Sequence, residues 1–374
     1  MPNRHARIAM LSLAAGLTLA AVPPALAQQR APRTQNVMLV VTDGLRWQEV
    51  FTGADSLLLF GDPRLVGGDT SRFRARFWRA TPKERRETLL PFMWGVVATQ
   101  GQIFGNRASG SSVVVSNGLK FSYPGYNEMI AGFADPRIDR NDYGPNPNLT
   151  VFEWLNRQAP FQGKVSAIAT WDAFADIFAR RTSGVYVHAG WEAPYPRPRS
   201  ALDSVLNRMY ATTFRMWDNN AYDAFTQTVL LRHLTSQRPR VVFVGYGETD
   251  EWAHAGRYDR TLNSAQAVDR FIAELWAQIQ ATPQYRDRTT LIITTDHGRG
   301  RTPADWTNHG QRVDGAEEMW IAVIGPDTRP LGERRNVAEL TQAQIAATIA
   351  ALLGLDYRRD APRAAGAIAE VLRP

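Results

Sequence analysis

Continuous apolar runs mark the strands of this chain. Val37 to Val41 is apolar at every position, and the pattern returns in KVSAIATW (164–171), RVVFVGYG (240–247), TTLIITTD (289–296) and MWIAVIGP (319–326). A run without polar alternation is what a strand buried on both faces of a parallel sheet requires. Between the runs lie segments of helical pattern: ERRETLLPFMWGVVATQ, NLTVFEWLNRQ, AYDAFTQTVLLRHLTSQ, TLNSAQAVDRFIAELWAQIQ and TQAQIAATIAALLGL. The alternation predicts an α/β fold with a mostly parallel central sheet flanked by helices on both faces. Two stretches break the rhythm. Residues 53–84 are rich in Gly, Asp and Arg, and 173–220 mixes short aromatic pieces with PYPRPRS. Both are expected to be inserts over one edge of the sheet, at the end where a ligand enters. With no internal repeat, low-complexity tail or linker in view, a single domain over 28–374 is expected.

The first 27 residues are set apart from that domain. Arg4 and Arg7 stand without an acid before an apolar stretch from about Ile8 to Val22, followed by Pro23, Pro24 and Ala25-Leu26-Ala27. This is the layout of a cleavable signal peptide cut after about Ala27, which predicts a periplasmic or secreted protein. No later stretch approaches the roughly 20 apolar residues of a membrane span. Losing Arg4 and Arg7 lowers the formal charge from +7 to +5, and the remaining basic residues are scattered. Scattered charge argues against a duplex nucleic-acid footprint but suits a small anionic substrate. The chain has no cysteine, so disulfides and every thiolate chemistry are excluded.

Three of the predicted strands end in acids or bases. The first gives Asp43 in VVTDG, the fourth gives Asp296 and His297 in TTDHG, and the third runs into GETDEWAHAG with Asp250 and His254. Ligands of open α/β sheets gather at such carboxyl ends. The i, i+4 spacing of Asp250 and His254 puts both on one face of a helical turn, and Asn308-His309-Gly310 follows close enough to loop back. Singly, each has a plain alternative as a turn or cap residue. Together they cluster three of the five histidines after residue 27 beside acids or glycine turns. Mixed imidazole and carboxylate sets suit zinc, and two such sets suit a two-metal site. His188 and His233 fall outside the pattern and are read as structural. In NGLKFSYPGYNEMIAGF (117–133), Ser122 precedes an apparent helix start. It either caps that helix or offers a hydroxyl where anions are favoured.

The pieces VVTDGLR, FSYPGYNE, TDEWAHAG, TTDHGRG and TNHG, in this order, resemble the alkaline phosphatase superfamily. The likeness is strongest to its nucleotide pyrophosphatase/phosphodiesterase and related phosphatase branches, and it covers most of residues 36–355. The resemblance implies two divalent cations, zinc in the first place with manganese as the alternative. One would be held by Asp250, His254 and His309, the other by Asp43, Asp296 and His297, with Ser122 as ligand and nucleophile. On this reading Gly298 lets the backbone turn away from the metal. The implied reaction is phosphate-ester hydrolysis in two in-line steps through a covalent phosphoserine, expected on monoesters, with a phosphodiesterase or nucleotide pyrophosphatase as the alternative.

The resemblance also implies an asparagine beyond the nucleophile that grips a phosphate oxygen. Asn141 is the nearest match, with Asn146 and Asn148 close by. One monoesterase branch adds a Lys and an Arg, where this chain reads ATWDAF with no base; Lys120 or Arg46 would have to substitute, although each also reads as a surface charge. A sulfatase would need an arginine after x-Pro-x, absent from Ser122-Tyr123-Pro124-Gly125-Tyr126. A cofactor-independent phosphoglycerate mutase would share metals and serine but not an exported location. A non-catalytic metal-binding protein would not be expected to keep every ligand position filled. Oligomeric state and physiological substrate are not legible.

Overall fold

The computed structural model describes residues 33–67 and 70–372. The stretch read as a signal peptide lies outside the described residues, and Pro32 onward forms one compact unit. Its strands are β1 (Asn36–Thr42), β2 (Gln102–Phe104), β3 (Val113–Val114), β4 (Val165–Ala169), β5 (Tyr186–Ala189), β6 (Val241–Tyr246), β7 (Thr289–Thr294), β8 (Glu318–Met319), β9 (Ile321–Ile324), β10 (Gly332–Glu333) and β11 (Leu340–Thr341). Eight of them form one sheet in the order β10-β2-β9-β7-β1-β6-β4-β5, and a small second sheet runs β11-β3-β8. In the large sheet β9 alone runs against the rest. The sheet is thus mostly parallel, as the unbroken apolar runs require.

The burial pattern explains those runs. Val37, Leu39 and Val41 of β1 enter one hydrophobic cluster, while Met38 and Val40 enter another on the opposite face. Side chains alternate across a strand, so both faces must be apolar when both are covered. Helices Ser122–Ala131, Val151–Arg157 and Gln344–Leu352 pack the first face through Met129, Leu155 and Ile349. Helices Asp223–Gln237 and Tyr258–Ala281 pack the second through Leu230 and Ile272.

The two irregular stretches depart from the expectation. Residues 173–220 are not wholly an insert, because β5 lies inside them and adds an edge strand parallel to β4. Residues 53–84 bury Leu58, Leu59 and Phe77 in the second cluster. The helix expected across ERRETLLPFMWGVVATQ is broken: Pro82–Leu89 is α-helical, and a π-helical turn follows at Met93–Val97. The break falls at Leu90, just before Pro91, which opens the second segment; proline supplies no N–H and its ring disfavours a helical conformation in the residue before it. Among the described residues no helix is long and apolar enough to cross a membrane.

Candidate active site

The carboxyl ends of three adjacent strands, with β1 between β6 and β7, carry Asp43, Asp250 and the Asp296-His297 pair. After β6 the chain turns into helix Glu248–His254, which sets Asp250 Oδ2 3.1 Å from His254 Nε2. The loop after His297 returns to bring His309 Nε2 to 3.0 Å from His254 Nε2 and 3.9 Å from Asp250 Oδ1. On the other side, His297 Nε2 lies 3.3 Å from Asp43 Oδ1, 3.4 Å from Asp296 Oδ2 and 3.4 Å from Ser122 Oγ. The rings of His297 and His309 are 4.0 Å apart, so the two groups adjoin. His297, assigned from the resemblance to one set, stands between both: its ligand atom falls within 4.8 Å of Asp250 and His309 as well.

These residues fit a divalent cation. Asp43 Oδ1 and Asp296 Oδ2 are buried and accept no hydrogen bond. His297 Nδ1 lies 2.9 Å from the Gly298 carbonyl oxygen and donates to it, which turns the lone pair of Nε2 toward the carboxylates. Asp43 Oδ1, Asp296 Oδ2 and Ser122 Oγ all lie within 3.4 Å of His297 Nε2. Their separations from Nε2 match the edge of a tetrahedron with zinc–ligand distances of about 2.0–2.1 Å, an edge of roughly 3.3–3.4 Å. Without a cation the carboxylates draw a proton instead. Burial pulls the His297 imidazole down, but Asp296, Asp43 and Asp250 together outweigh it and raise it to about 9. Burial and then the Asp43 charge hold the Asp296 carboxyl well above its usual range. Burial, with His297 beside it, pushes His309 down to about 2, so it stays a neutral donor of its lone pair. Burial opposes ionisation of Asp250, yet Arg299 and His254 hold it well below the usual range.

Ser122 does not cap its helix. Phe121 is the N-cap, without a side-chain bond, and Ser122 is the first helical residue. The loop before it is fixed from inside the same helix. Glu128 accepts from the backbone N–H groups of Ser116 and Asn117, and Asn117 Oδ1 accepts from those of Leu119 and Lys120. Lys120 takes a left-handed φ of 59° there, an uncommon conformation for a residue with a side chain. Gly125 lets the helix approach β7's end: a Cβ at that position would lie 2.6 Å from the Asp296 carbonyl oxygen. Gly298 serves close approach too. Its φ is not left-handed, and a side chain would strike the carbonyls of Gly315 and Glu318.

The remaining sequence candidates separate. Asn141 lies beside the start of the Ser122 helix, its Oδ1 accepting from Tyr123 N–H at 3.0 Å. Asn146 and Asn148 are tied into the loop by Ile177 O, Asn127 and Asp135. The Lys120 ammonium lies on Glu317 at 2.9 Å and is not among the groups facing Ser122. Arg46 is not a surface charge: it is buried against Glu49 and the Gly300 carbonyl. His188 bonds Glu192 O, and His233 lies 2.9 Å from Ser166 Oγ, both away from the cluster.

Two residues at the site were not singled out from sequence. Tyr126 donates to Asp43 Oδ2 at 2.9 Å, and its place four residues after Ser122 put it on the same helix face. Arg299 is buried, binds Asp250 Oδ1, and reaches the carbonyls of Trp306 and Thr307 ahead of His309. Its signal was a lone arginine after DHG, which names no partner.

Comparison with known proteins is consistent with this geometry. The Metalloenzyme superfamily model matches residues 199–357, which contain Asp250, His254, Asp296, His297 and His309. Over its length the fold aligns with that of the alkaline phosphatase PafA, at a TM-score of 0.55 and 10% identity, covering 94% of this chain and 100% of that one. A 2-O GAG sulfatase aligns at a TM-score of 0.55 and 12% identity over 91% of this chain and 74% of its own. The 2,3-bisphosphoglycerate-independent phosphoglycerate mutase of Thermomicrobium roseum is 25% identical over 183 residues, 46% of this chain. This chain spans 31% of that relative's length. The fold is that of the alkaline phosphatase superfamily. The family match covers less than half of this chain, and the likeness to the solved structures is one of fold.

Proposed function

We propose that this protein hydrolyses phosphate esters through a covalent intermediate on Ser122, with two divalent cations, zinc first, and that it works after export. The observation that carries the reading is the convergence of Ser122 Oγ, His297 Nε2 and the two unpartnered oxygens of Asp43 and Asp296. Bound there, the cations would supply charge neutralisation at the nucleophile, the phosphoryl oxygens and the leaving group. Asp43, Asp296 and His297 would hold one cation; Asp250, His254 and His309 would hold the other.

The chain's own groups do the rest. In the first turn of the Ser122 helix, Pro124 has no N–H, Gly125 N–H goes to Phe121 O and Tyr123 N–H goes to Asn141. The Ser122 N–H and the Asn141 amide remain to bind the non-bridging oxygens, on the positive end of the helix. Ser122 Oγ then attacks phosphorus, the ester oxygen leaves as the alcohol or phenol after taking up a proton, and water returns phosphate and the free serine. Tyr126 keeps Asp43 oriented, and its own phenol is held protonated, well above its usual range, by burial and by the charges of Asp296 and Asp43. The missing arginine after Ser122-Tyr123-Pro124-Gly125 weighs against sulfate esters. The leader-like N-terminus supports export.

Monoesters are the class expected from the sequence. Diesters are the second reading, favoured by one feature: the nearby cations Lys120, Arg46 and Arg299 are each engaged by an acid, which leaves little to hold a dianion. The test is kcat/KM for an aryl phosphate monoester against the matching diester on zinc-loaded protein. A ratio well above one supports the phosphomonoesterase, and a ratio well below one supports the phosphodiesterase. Turnover of neither overturns the proposal.

A further inference from the structure

Large apolar side chains are seldom left in water, and in this chain their exposure is concentrated. Of nine exposed among the described residues, five lie between Leu202 and Met216. Helix Ala201–Thr212 buries Asp203, Leu206 and Tyr210 on its inner face. Leu202, Val205 and Met209, spaced by three and four residues, form a stripe on its outer flank. The segment that follows adds Phe214, 78% exposed, and Met216, 51% exposed. Scattered single apolar residues need no explanation, but a contiguous set does.

The charge around this stripe is mostly positive. Arg197, Arg199, Arg208 and Arg215 are exposed, and none has a carboxylate within ion-pair distance among the described residues. Arg215 only rests over the Trp191 ring, at 5.2 Å. The acids of the same segment are used elsewhere: Glu192 by Arg180 at 2.6 Å and Asp203 by Arg232 at 3.1 Å. Asp218 is the one that remains unpaired.

We infer that this face, Leu202 to Met216 with its arginine rim, docks the protein on an anionic phospholipid surface. An amphipathic element with aliphatic and aromatic side chains protruding, arginines beside them and no acid on the helix's outer face has the makeup of an interfacial anchor. A second copy of the chain is disfavoured, because a two-fold contact through this patch would bring the four guanidiniums against themselves. The attachment is peripheral and independent of the hydrolytic reading, since no residue of the candidate active site takes part.

The test is sedimentation of the full-length protein, purified and zinc-loaded, with vesicles of equimolar phosphatidylglycerol and phosphatidylcholine, and with phosphatidylcholine alone. Partition onto the anionic vesicles is expected to exceed that onto the neutral ones at least tenfold, and to fall with added salt. Phe214→Ser with Met209→Ser, neither a member of the core clusters, should cut it at least tenfold, and Arg208→Gln with Arg215→Gln should do the same while weakening the salt dependence. Circular dichroism melts unchanged from the parent would show that the variants are folded. No binding to anionic vesicles, equal binding to both vesicle types, or equal binding by parent and variants would overturn the inference. So would a dimer in solution that the Phe214→Ser, Met209→Ser variant dissociates, which would assign the face to self-association.

Discussion

Cation binding should expel a proton from His297. Its imidazole, buried between Asp296, Asp43 and Asp250, is raised from 6.5 to about 9, so at pH 7.5 it is mostly protonated in the metal-free protein. A cation held by Nε2 needs that position deprotonated. Zinc titrated into metal-free protein at pH 7.5 should therefore release at least one proton. Isothermal titration in buffers of different ionisation enthalpy reads this directly as a buffer-dependent heat. The same shift sets the stability of the metal-free form. A folded-state value above the unfolded one stabilises fully below pH 6.5 and loses that contribution as pH rises through about 9. The contribution is about 3 kcal/mol for a fully buried group, so the metal-free melting temperature should fall by several degrees across that window. Excess zinc should abolish the fall. A heat independent of buffer at pH 7.5, or a metal-free protein that grows more stable from pH 6.5 to 9, would refute the placement of His297 at a cation site.

Other perturbations separate the parts of the site. His309→Ala should lower bound zinc from two equivalents to one by metal analysis, while Asp296→Asn should remove the other equivalent. Gly125→Ala sets a methyl 2.6 Å from the Asp296 carbonyl oxygen, which should cost about 1–3 kcal/mol by overpacking and lower kcat at least tenfold on an aryl phosphate. Wild-type melting and kcat in that variant would mean the helix and β7 do not need their close approach.

The parts of the fold that were legible are those where one physical rule acts alone. β1, β4, β6, β7 and β9 coincide with apolar runs because both sheet faces are covered. β5 was hidden: Tyr186-Val187-His188-Ala189 is short, carries two polar tips and lies at the sheet edge, where only part of a strand is buried. β2 is three residues long and follows a π-helical turn, too brief for a period to register. At the site, acids and histidines at strand ends were visible because the motifs keep their order along the chain. The roles of charges were not. Arg46, Lys120 and Arg299 look alike in sequence, and only their distant partners, Glu49 aside, decide which is buried, which is tied down and which braces a ligand. Asn141 could not be told from Asn146 or Asn148 by spacing; only long-range contacts set it beside Tyr123 N–H and tie the other two into the loop.

The central claim is that Ser122 is the nucleophile. Zinc-loaded protein mixed with an aryl phosphate, quenched in acid within the first turnovers and digested, should yield the peptide containing Ser122 with one phosphoryl group added, by mass spectrometry, or the substituted phosphoryl group if a diester is the substrate. The Ser122→Ala variant should retain its zinc, lose turnover and give no such peptide. Steady turnover with an unmodified Ser122 peptide, or undiminished activity in Ser122→Ala, would contradict the account.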